Sequence, residues 1–221
     1  VSGLLPNHPN SKSDDTSSYI RSLHETWNTL VDKYDGKMFE EDDWSFYRMR
    51  PQNYPPVRLA GGVRLLNEIL NHNLIGNLHR KFVEIHKIDT LKVCMRSLFI
   101  TKGAGYWSRH YMFDVEAKPH IKFYVGKNRA DEIVLNVILP ILYLYYEMFG
   151  KKKFASKTLR LYSEVDMDLD NSLVNEVSTA LNLDIHKHGP LIYQGMLELF
   201  RNKCSKDKCN DCMIGEKVFS E

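Results

Sequence analysis

One apolar stretch, residues 134–146, constrains the fold of this 221-residue chain more than any other feature. The apolar pattern continues over most of residues 128–149, without the polar stripe of a surface helix. A helix that is apolar on all sides belongs in a core. The pattern therefore predicts a central buried helix with little exposed surface, which Pro140 kinks or divides because proline has no amide hydrogen. Within it, Asn136 is expected to be buried and hydrogen-bonded.

The overall composition indicates a soluble globular protein. The apolar stretch is shorter than the roughly 20 residues that span a bilayer, so we expect no membrane partner. Hydrophobic residues make up 43% of the chain and charged residues 26%, as in ordinary globular domains. The net charge is only +2, which excludes a strongly basic polyanion binder and leaves room only for a local basic site. Three of the four cysteines are clustered near the C-terminus, which favours a reducing, cytoplasmic location.

Helical spacing of apolar residues dominates the rest of the chain, so the predicted fold class is mainly α. We expect a multi-helix globular domain of residues 19–203 around the central helix, preceded by an exposed lead-in segment, residues 1–18. An ordered loop is expected at 36–56 and a short β-hairpin near 120–125. A cysteine knuckle would close the chain at 204–221. The predicted helices besides the central one are 19–34, 57–70, 75–86, 91–100, 152–163, 171–181 and 190–204.

The cysteine knuckle is the sharpest local motif. Cys204, Cys209 and Cys212 have the spacing C-x4-C-x2-C, and the lysines among them are expected to favour the thiolate form. Three thiolates are one ligand short of the tetrahedral site that zinc prefers. A fourth ligand would come from Cys94, His186, His188 or another chain. Zinc is the first expectation and an iron–sulfur cluster the second, while reduced or redox-active thiols remain the alternative.

A second motif sets arginines and aromatic residues around prolines. Residues 47–58 include Arg48, Arg50, Asn53 and Arg58, together with two tyrosines, Tyr47 and Tyr54. Guanidinium groups bind phosphates in bidentate fashion and tyrosine rings stack on bases, so a stiff basic loop suits nucleic-acid contact. The competing interpretation is an ion-pair corner with the acidic run at residues 40–43.

A third region combines glycines with basic residues. Gly103 and Gly105 precede Arg109 and His110, and further along the chain Gly126 precedes Lys127 and Arg129. Backbone amides at a basic helix start can bind an anion. The phosphate-binding G-x4-G-K-[ST] and dinucleotide G-x-G-x-x-G patterns are both missing, which argues against nucleotide hydrolysis and Rossmann chemistry. As a lone histidine among aromatic residues, His110 is expected to be structural rather than a catalytic base.

Several segments together resemble a known family. They are WSFYRMRPQNYPPVRLA at 44–60, VGKNRADEIVLNVILP at 125–140 and YQGMLELFRNKCSKDKCNDCMIG at 193–215, with GLLP at 3–6. In this order they resemble an uncharacterised bacterial family, domain of unknown function number 2851. The resemblance implies that the chain corresponds to the C-terminal half of a typical member. The other half, with nuclease-like acidic and histidine residues on strands, would be a separate partner domain, leaving this chain to bind or scaffold.

Two functional hypotheses follow, from different classes. In the first, the chain is a helical domain that binds DNA or RNA through one basic face, made of Arg48, Arg50, Asn53, Arg58, Arg109, Lys127 and Arg129. In the second, it is a structural or protein-interaction domain whose arginines are internal ion-pair partners. An independent enzyme is a distant third, because no partnered nucleophile and base can be assigned. Exposed arginines would favour the first hypothesis, and arginines buried against carboxylates the second.

Overall fold

The structure, a computed structural model, describes residues 3–6, 13–34, 36, 38–164, 172–183 and 185–219. The chain is mainly helical, which confirms the predicted class. It divides into two compact units. The N-terminal unit comprises Val1–Asn77 and Phe99–Gly126, and the C-terminal unit comprises Leu78–Leu98 and Lys127–Glu221. Each is described separately below.

The N-terminal unit combines two long helices with two small antiparallel sheets. Strand β1 pairs with β4, and β2 forms a hairpin with β3. The loop predicted at 36–56 ends at Tyr54, because the helix that follows already begins at Pro55. The loop holds short 3-10 turns at Glu41–Asp43 and Pro51–Asn53. The helices and strands are α1 (Asp14–Leu30), α2 (Pro55–Asn71), the start of α3 (Leu74–Glu84), β1 (Thr101–Lys102), β2 (His110–Met112), β3 (Val115–Glu116) and β4 (Phe123–Val125).

An aromatic cluster forms the core of the N-terminal unit. The ring of Tyr19 stacks on Tyr106 at a centroid distance of 4.4 Å, and Trp107 Nε1 donates a hydrogen bond to Tyr19 Oη at 3.0 Å. The hydroxyl of Thr16 bonds the Tyr106 hydroxyl at 2.7 Å. Thr16 is buried in this way and Ser17 beside it is buried too, so both belong to α1, which begins at Asp14. The lead-in segment is therefore shorter than predicted, and residues 1, 2 and 7–12 of it lie outside the described residues.

The C-terminal unit is a set of packed helices, and a short π-helical segment lies between two of them. No helix in the described ranges is long and apolar enough to span a membrane. The kink at Gly189 (φ 70°) lets the straight part of α9 start at Pro190, the position predicted for this helix. The helices are the rest of α3, α4 (Ile88–Ser97), α5 (Lys127–Ile133), the π segment Val134–Ile138, α6 (Leu139–Met148), α7 (Lys152–Glu164), α8 (Ser172–Ala180), α9 (Ile185–Asn202) and α10 (Met213–Phe219).

Pro140 is accommodated by a π turn rather than by a break. The Leu139 amide donates to the Val134 carbonyl five residues back, and α6 then continues without interruption. A wider turn at this point relieves the clash that a proline ring makes with the preceding turn of an α-helix. The predicted central helix therefore exists, as α5, the π segment and α6 in succession.

The prediction that this helix is almost fully buried is wrong. One face packs into the unit through Leu135, Leu139, Leu142 and Tyr146, but Val137, Ile141, Leu144 and Met148 are exposed. The spacing of four, three and four residues places these exposed side chains in one stripe. Asn136 was predicted to be buried and hydrogen-bonded, but it is exposed. Its Oδ1 does accept a hydrogen bond, from Gln194 on α9. The neighbouring helices cover only one side of this apolar helix.

Tyr146 lies at the centre of the core of the C-terminal unit. Its ring contacts Phe82 and Phe154, and its hydroxyl lies 3.2 Å from His79 Nδ1. Burial, with a smaller contribution from Tyr145, raises the pKa of Tyr146 to about 12. Nearby, the half-buried Lys157 donates from Nζ to the carbonyls of Phe82 and Ile85 and thereby caps the end of α3.

Candidate functional site

The loop before α2 presents its arginines and one tyrosine to solvent. Tyr47 is 75% exposed, and the guanidinium carbon of Arg48 lies 5.0 Å from the centre of its ring. Arg48 takes a positive φ of 56°, a conformation that costs energy for a residue with a side chain. The exposed Arg50 is two residues further on. Among the described residues, no ion pair joins Arg48 or Arg50 to a carboxylate. These two side chains therefore do not form the ion-pair corner with residues 40–43 that was the alternative interpretation.

Arg58 and Asn53 contribute to this loop in another way. Nη2 of Arg58 donates to Oδ1 of Asn53 at 2.7 Å, and both side chains are half-buried. The Asn53 amide in turn donates to the Arg50 carbonyl at 2.7 Å and closes the 3-10 turn. Tyr54 packs edge-on against Phe46 at 5.1 Å. Arg58, Asn53 and Tyr54 thus hold the shape of the loop, whereas Tyr47, Arg48 and Arg50 form its exposed surface.

Arg109 lies in a polar pocket of about 380 Å³ that the sequence did not predict. Nη2 of Arg109 lies 3.3 Å from an oxygen of Asp15, and the Ser13 amide donates to Asp114 Oδ1 at 3.2 Å. His110 stacks on Tyr106 at 4.0 Å, and its Nδ1 lies 3.1 Å from the Tyr106 carbonyl, which agrees with a structural role. The pocket is lined by Ser13, Asp15, Arg109, His110, Asp114, Glu116 and His120.

The charges of this pocket limit what it can bind. A hydrogen bond from Lys118 Nζ, at 2.7 Å, and its charge hold the pKa of the Glu116 carboxyl below its ordinary value, with smaller contributions from His120 and His110. Carboxylates outnumber the fixed cation within the lining, and Arg109 already faces one of them. The pocket therefore suits a hydrogen-bond donor or a cation better than a phosphate. One signal could have indicated it: acidic and histidine residues recur at 114, 116 and 120 around the hairpin.

Lys127 and Arg129, the last two predicted nucleic-acid contacts, lie at the start of α5 in the C-terminal unit. Lys127 is exposed. Arg129 Nη1 forms an exposed ion pair with Glu132 at 2.5 Å, one helical turn away. Arg48, Arg50, Asn53, Arg58 and Arg109 belong to the N-terminal unit. That all of these residues form one basic face stays a prediction.

The three clustered cysteines line one apolar pocket of about 260 Å³. Cys212 is buried, Cys209 is half-buried and Cys204 is exposed, and all are free thiols. Lys203 Nζ donates to the Asp211 carbonyl at 2.9 Å. Gly215 approaches the Cys209 carbonyl so closely that a Cβ would lie 2.2 Å from its oxygen. The start of α10 therefore packs closely against the turn that holds Cys209. The rest of the lining is Glu176, Val177, Leu181, Leu199, Phe200, Lys203, Ile214 and Gly215.

Metal binding by these thiols stays a prediction. In the described part of the chain no three His, Cys, Asp or Glu side chains are grouped closely enough to hold an ion, so the thiols would have to converge around it. The side chains of His186 and His188 lie outside the described residues, and Cys94 is half-buried on α4.

Elemental analysis of chain purified without chelator tests this prediction. We expect about one zinc per chain, because three thiolates within nine residues can bind a single ion and gain local order from it. Cys209→Ser with Cys212→Ser should abolish zinc binding, and Cys94→Ser tests separately whether Cys94 is the fourth ligand. Metal-free protein in which Cys204, Cys209 and Cys212 titrate freely, and in which residues 204–219 keep their 3-10 turns and α10, would contradict a metal site.

Comparison with known proteins gives a family but no activity. No curated protein and no solved structure matches the chain at a significant level. A family model described as "Protein of unknown function (DUF2851)" matches residues 1–171. The match covers the N-terminal part of the chain and stops before the cysteine segment, so the expectation that only the C-terminal half of the family is present is not supported. Because the match covers more than half of its residues, the chain belongs to this family of proteins of unknown function.

Proposed function

We propose that the chain binds nucleic acid through the exposed surface of the loop before α2, formed by Tyr47, Arg48 and Arg50. The observation that carries this proposal is the exposed pair of Tyr47 and Arg48, with a guanidinium 5.0 Å from a ring that is otherwise open to solvent. An open tyrosine ring offers a stacking surface for an unpaired base. The adjoining guanidinium groups offer forked donors to phosphate oxygens.

The support of the loop makes this surface suitable for binding. Two proline-initiated segments, the 3-10 turn at Pro51 and α2 at Pro55, stiffen the backbone that follows Arg50. The hydrogen bond from Arg58 to Asn53 fixes the turn from inside. A surface that is already ordered loses less conformational entropy when a ligand binds. We therefore assign Arg58 and Asn53 a positioning role and leave Arg109, which faces Asp15, out of the interface.

Replacing Arg48 and Arg50 with Gln tests the phosphate contacts. The slope of log Kobs against log salt is negative, and each lost phosphate contact makes it less steep by about 0.7 on a single strand. The slope of the double variant should therefore be less steep than that of the wild-type chain by about 1.4. Fluorescence anisotropy with labelled single-stranded DNA and RNA of mixed sequence, over a series of salt concentrations, gives this slope. The variant Arg21→Gln/Arg201→Gln, which removes two exposed arginines elsewhere, is the matched control and should keep the slope.

Tyr47→Ala separates stacking from charge. Loss of one base stack costs about 1–3 kcal/mol of binding free energy, so affinity should fall at every salt concentration while the slope stays unchanged. A double arginine variant that folds normally and keeps the slope of the wild-type chain would remove the basis of the proposal.

A protein-interaction domain is the second candidate, and one surface of the N-terminal unit favours it. Val63, Leu66 and Leu70 of α2 are exposed at the spacing of one helical face. Apolar side chains grouped on a surface often mark a protein contact. Absence of oligonucleotide binding by the wild-type chain, together with self-association that Leu66→Ser abolishes, would favour this second function.

A further inference from the structure

The connection between α6 and α7 forms an exposed apolar and basic tip, which we call the hairpin tip (Met148 to Lys153). Met148 is 82% exposed and Phe149 is 64% exposed. Met148 continues the exposed stripe of α6 that includes Ile141 and Leu144. These side chains are large and lie together at the end of a helix, unlike scattered surface apolar residues that need no explanation.

The backbone holds the tip in a defined shape. The Gly150 amide donates to the Glu147 carbonyl at 3.1 Å, and the Lys151 amide donates to the Tyr146 carbonyl at 2.8 Å. With Gly150 at φ 65°, this pair of bonds is a Schellman motif that ends α6. Phe149 also contacts Tyr145 at 4.8 Å. The exposure of Met148 and Phe149 is therefore a property of a closed turn.

Three consecutive lysines follow the apolar pair. Lys152 and Lys153 are exposed, and Lys151 Nζ lies 5.8 Å from the centre of the Tyr145 ring. No ion pair between described residues includes any of the three. Burial, and to a smaller extent the charge of Lys153 one helical turn away, lowers the pKa of Lys157. Glu147 is the nearest acidic residue along the chain.

We propose that the hairpin tip binds the surface of a membrane that contains anionic phospholipid. Met148 and Phe149 enter the layer of lipid headgroups, and Lys151, Lys152 and Lys153 contact lipid phosphates. An apolar segment beside lysines binds such surfaces by burial of apolar area and by attraction to anionic lipids. The sequence had predicted no membrane partner because no segment is long enough to span one; binding at the surface requires no such length.

The shape of the tip favours a lipid surface over a protein or a nucleic acid. Protein partners contribute most binding energy through side chains that fill pockets, and a tip of two projecting side chains offers no pocket to fill. Nucleic-acid contact relies on aromatic stacking or phosphate binding and gives no role to Met148, the most exposed member of the stripe. A headgroup layer yields to projecting side chains, so it accommodates all five residues at once.

Vesicle sedimentation with the full chain tests the proposal. We expect binding to vesicles in which about a third of the lipid is phosphatidylglycerol and little binding to phosphatidylcholine alone, with a loss as salt rises. Each lysine near such a surface contributes about fivefold in affinity. The triple change Lys151→Gln, Lys152→Gln and Lys153→Gln should therefore weaken binding by about a hundredfold. Met148→Ser with Phe149→Ser should weaken it by a similar factor.

Matched controls separate this surface from general charge and stickiness. Lys33→Gln, Lys102→Gln and Lys122→Gln remove three exposed lysines of the N-terminal unit, and Met38→Ser with Phe39→Ser removes an exposed methionine and phenylalanine there. Both control variants should bind vesicles as the wild-type chain does. In Phe149→Trp, the fluorescence of the added tryptophan is obtained by subtracting the spectrum of the wild-type chain. Its emission maximum should shift to shorter wavelength on phosphatidylglycerol vesicles, because the indole leaves water.

Three outcomes would overturn the proposal. One is equal binding to both kinds of vesicle. Another is that the variant Met148→Ser with Phe149→Ser binds vesicles as the wild-type chain does but is a monomer where the wild-type chain is a dimer. The third is vesicle binding unchanged in the lysine variant while oligonucleotide binding is lost. Membrane binding by the hairpin tip does not depend on the loop of Tyr47. If Arg48→Gln/Arg50→Gln does not change nucleic-acid binding, the proposed function fails, but the proposal for the hairpin tip still stands.

Discussion

Leu139→Asp is expected to unfold the C-terminal unit. Leu139 is 1% exposed and begins α6, directly after the π segment. A carboxylate at this position would be buried without a partner, which costs several kcal/mol out of the roughly 5–15 kcal/mol that stabilise a domain. Thermal melting followed by circular dichroism should show loss of the transition that reports this unit, and hydrogen exchange should show loss of protection in α6 and α7.

The same helix supplies a control for this substitution. Leu144 is 59% exposed, so Leu144→Asp places the new carboxylate in water and should cost about 1 kcal/mol or less, mainly through helix propensity. If both variants melt like the wild-type chain, the packed face of α6 has been assigned wrongly. If both unfold, the outer face is covered as well, and the exposed stripe is not free to bind a membrane.

Helix positions were predictable wherever local spacing alone determines them. The predicted helix at 57–70 is α2 (Pro55–Asn71), and the predicted helix at 152–163 is α7 (Lys152–Glu164). A single apolar face at a period of 3.6 residues is a property of neighbouring residues, so it can be read without knowledge of the fold. Pro190, which suits a first helical turn, likewise located the straight part of α9.

Features that depend on distant residues were not predictable in this way. The early start of α1 follows from burial of Thr16 against Tyr106, 90 residues away. Strand β4 pairs with β1, more than 20 residues earlier, and not within the local hairpin expected from its alternating pattern. The exposed stripe of α6 depends on how many helices surround it, which a pattern that is apolar on all sides does not reveal.

The candidate site divides in the same way. The exposed loop surface of Tyr47, Arg48 and Arg50 lies in one continuous motif, so its residues could be chosen from sequence. The sequence could not show whether those arginines pair with the acidic run at 40–43, because side chains of an irregular loop have no fixed spacing. The polar pocket was missed because Asp15, Arg109 and Glu116 come from different segments of the chain. Only His110 and Arg109 of its lining had been singled out.

Arg96→Met is the second substitution with a large expected effect. Arg96 of α4 and Asp131 of α5 form an ion pair of 2.5 Å in which the side chains are only 15% and 10% exposed. Removal of the guanidinium leaves the Asp131 carboxylate buried without its partner, which should cost about 3–5 kcal/mol of the free energy of unfolding. Urea unfolding of Arg96→Met, of Asp131→Leu and of the double variant that combines them measures this cost. The cost should hardly change with salt because the pair is shielded from solvent.

The double variant Arg96→Met/Asp131→Leu decides whether the ion pair or only the burial of one charge determines stability. Two apolar side chains of similar volume leave no unpaired charge, so the double variant should recover most of the stability that either single variant loses. Arg160→Met breaks the exposed pair of Arg160 with Glu164 and should cause no measurable loss. A single Arg96→Met variant as stable as Arg160→Met would mean that water reaches Asp131. A double variant no better than the single ones would instead show that the ion pair itself positions α4 against α5.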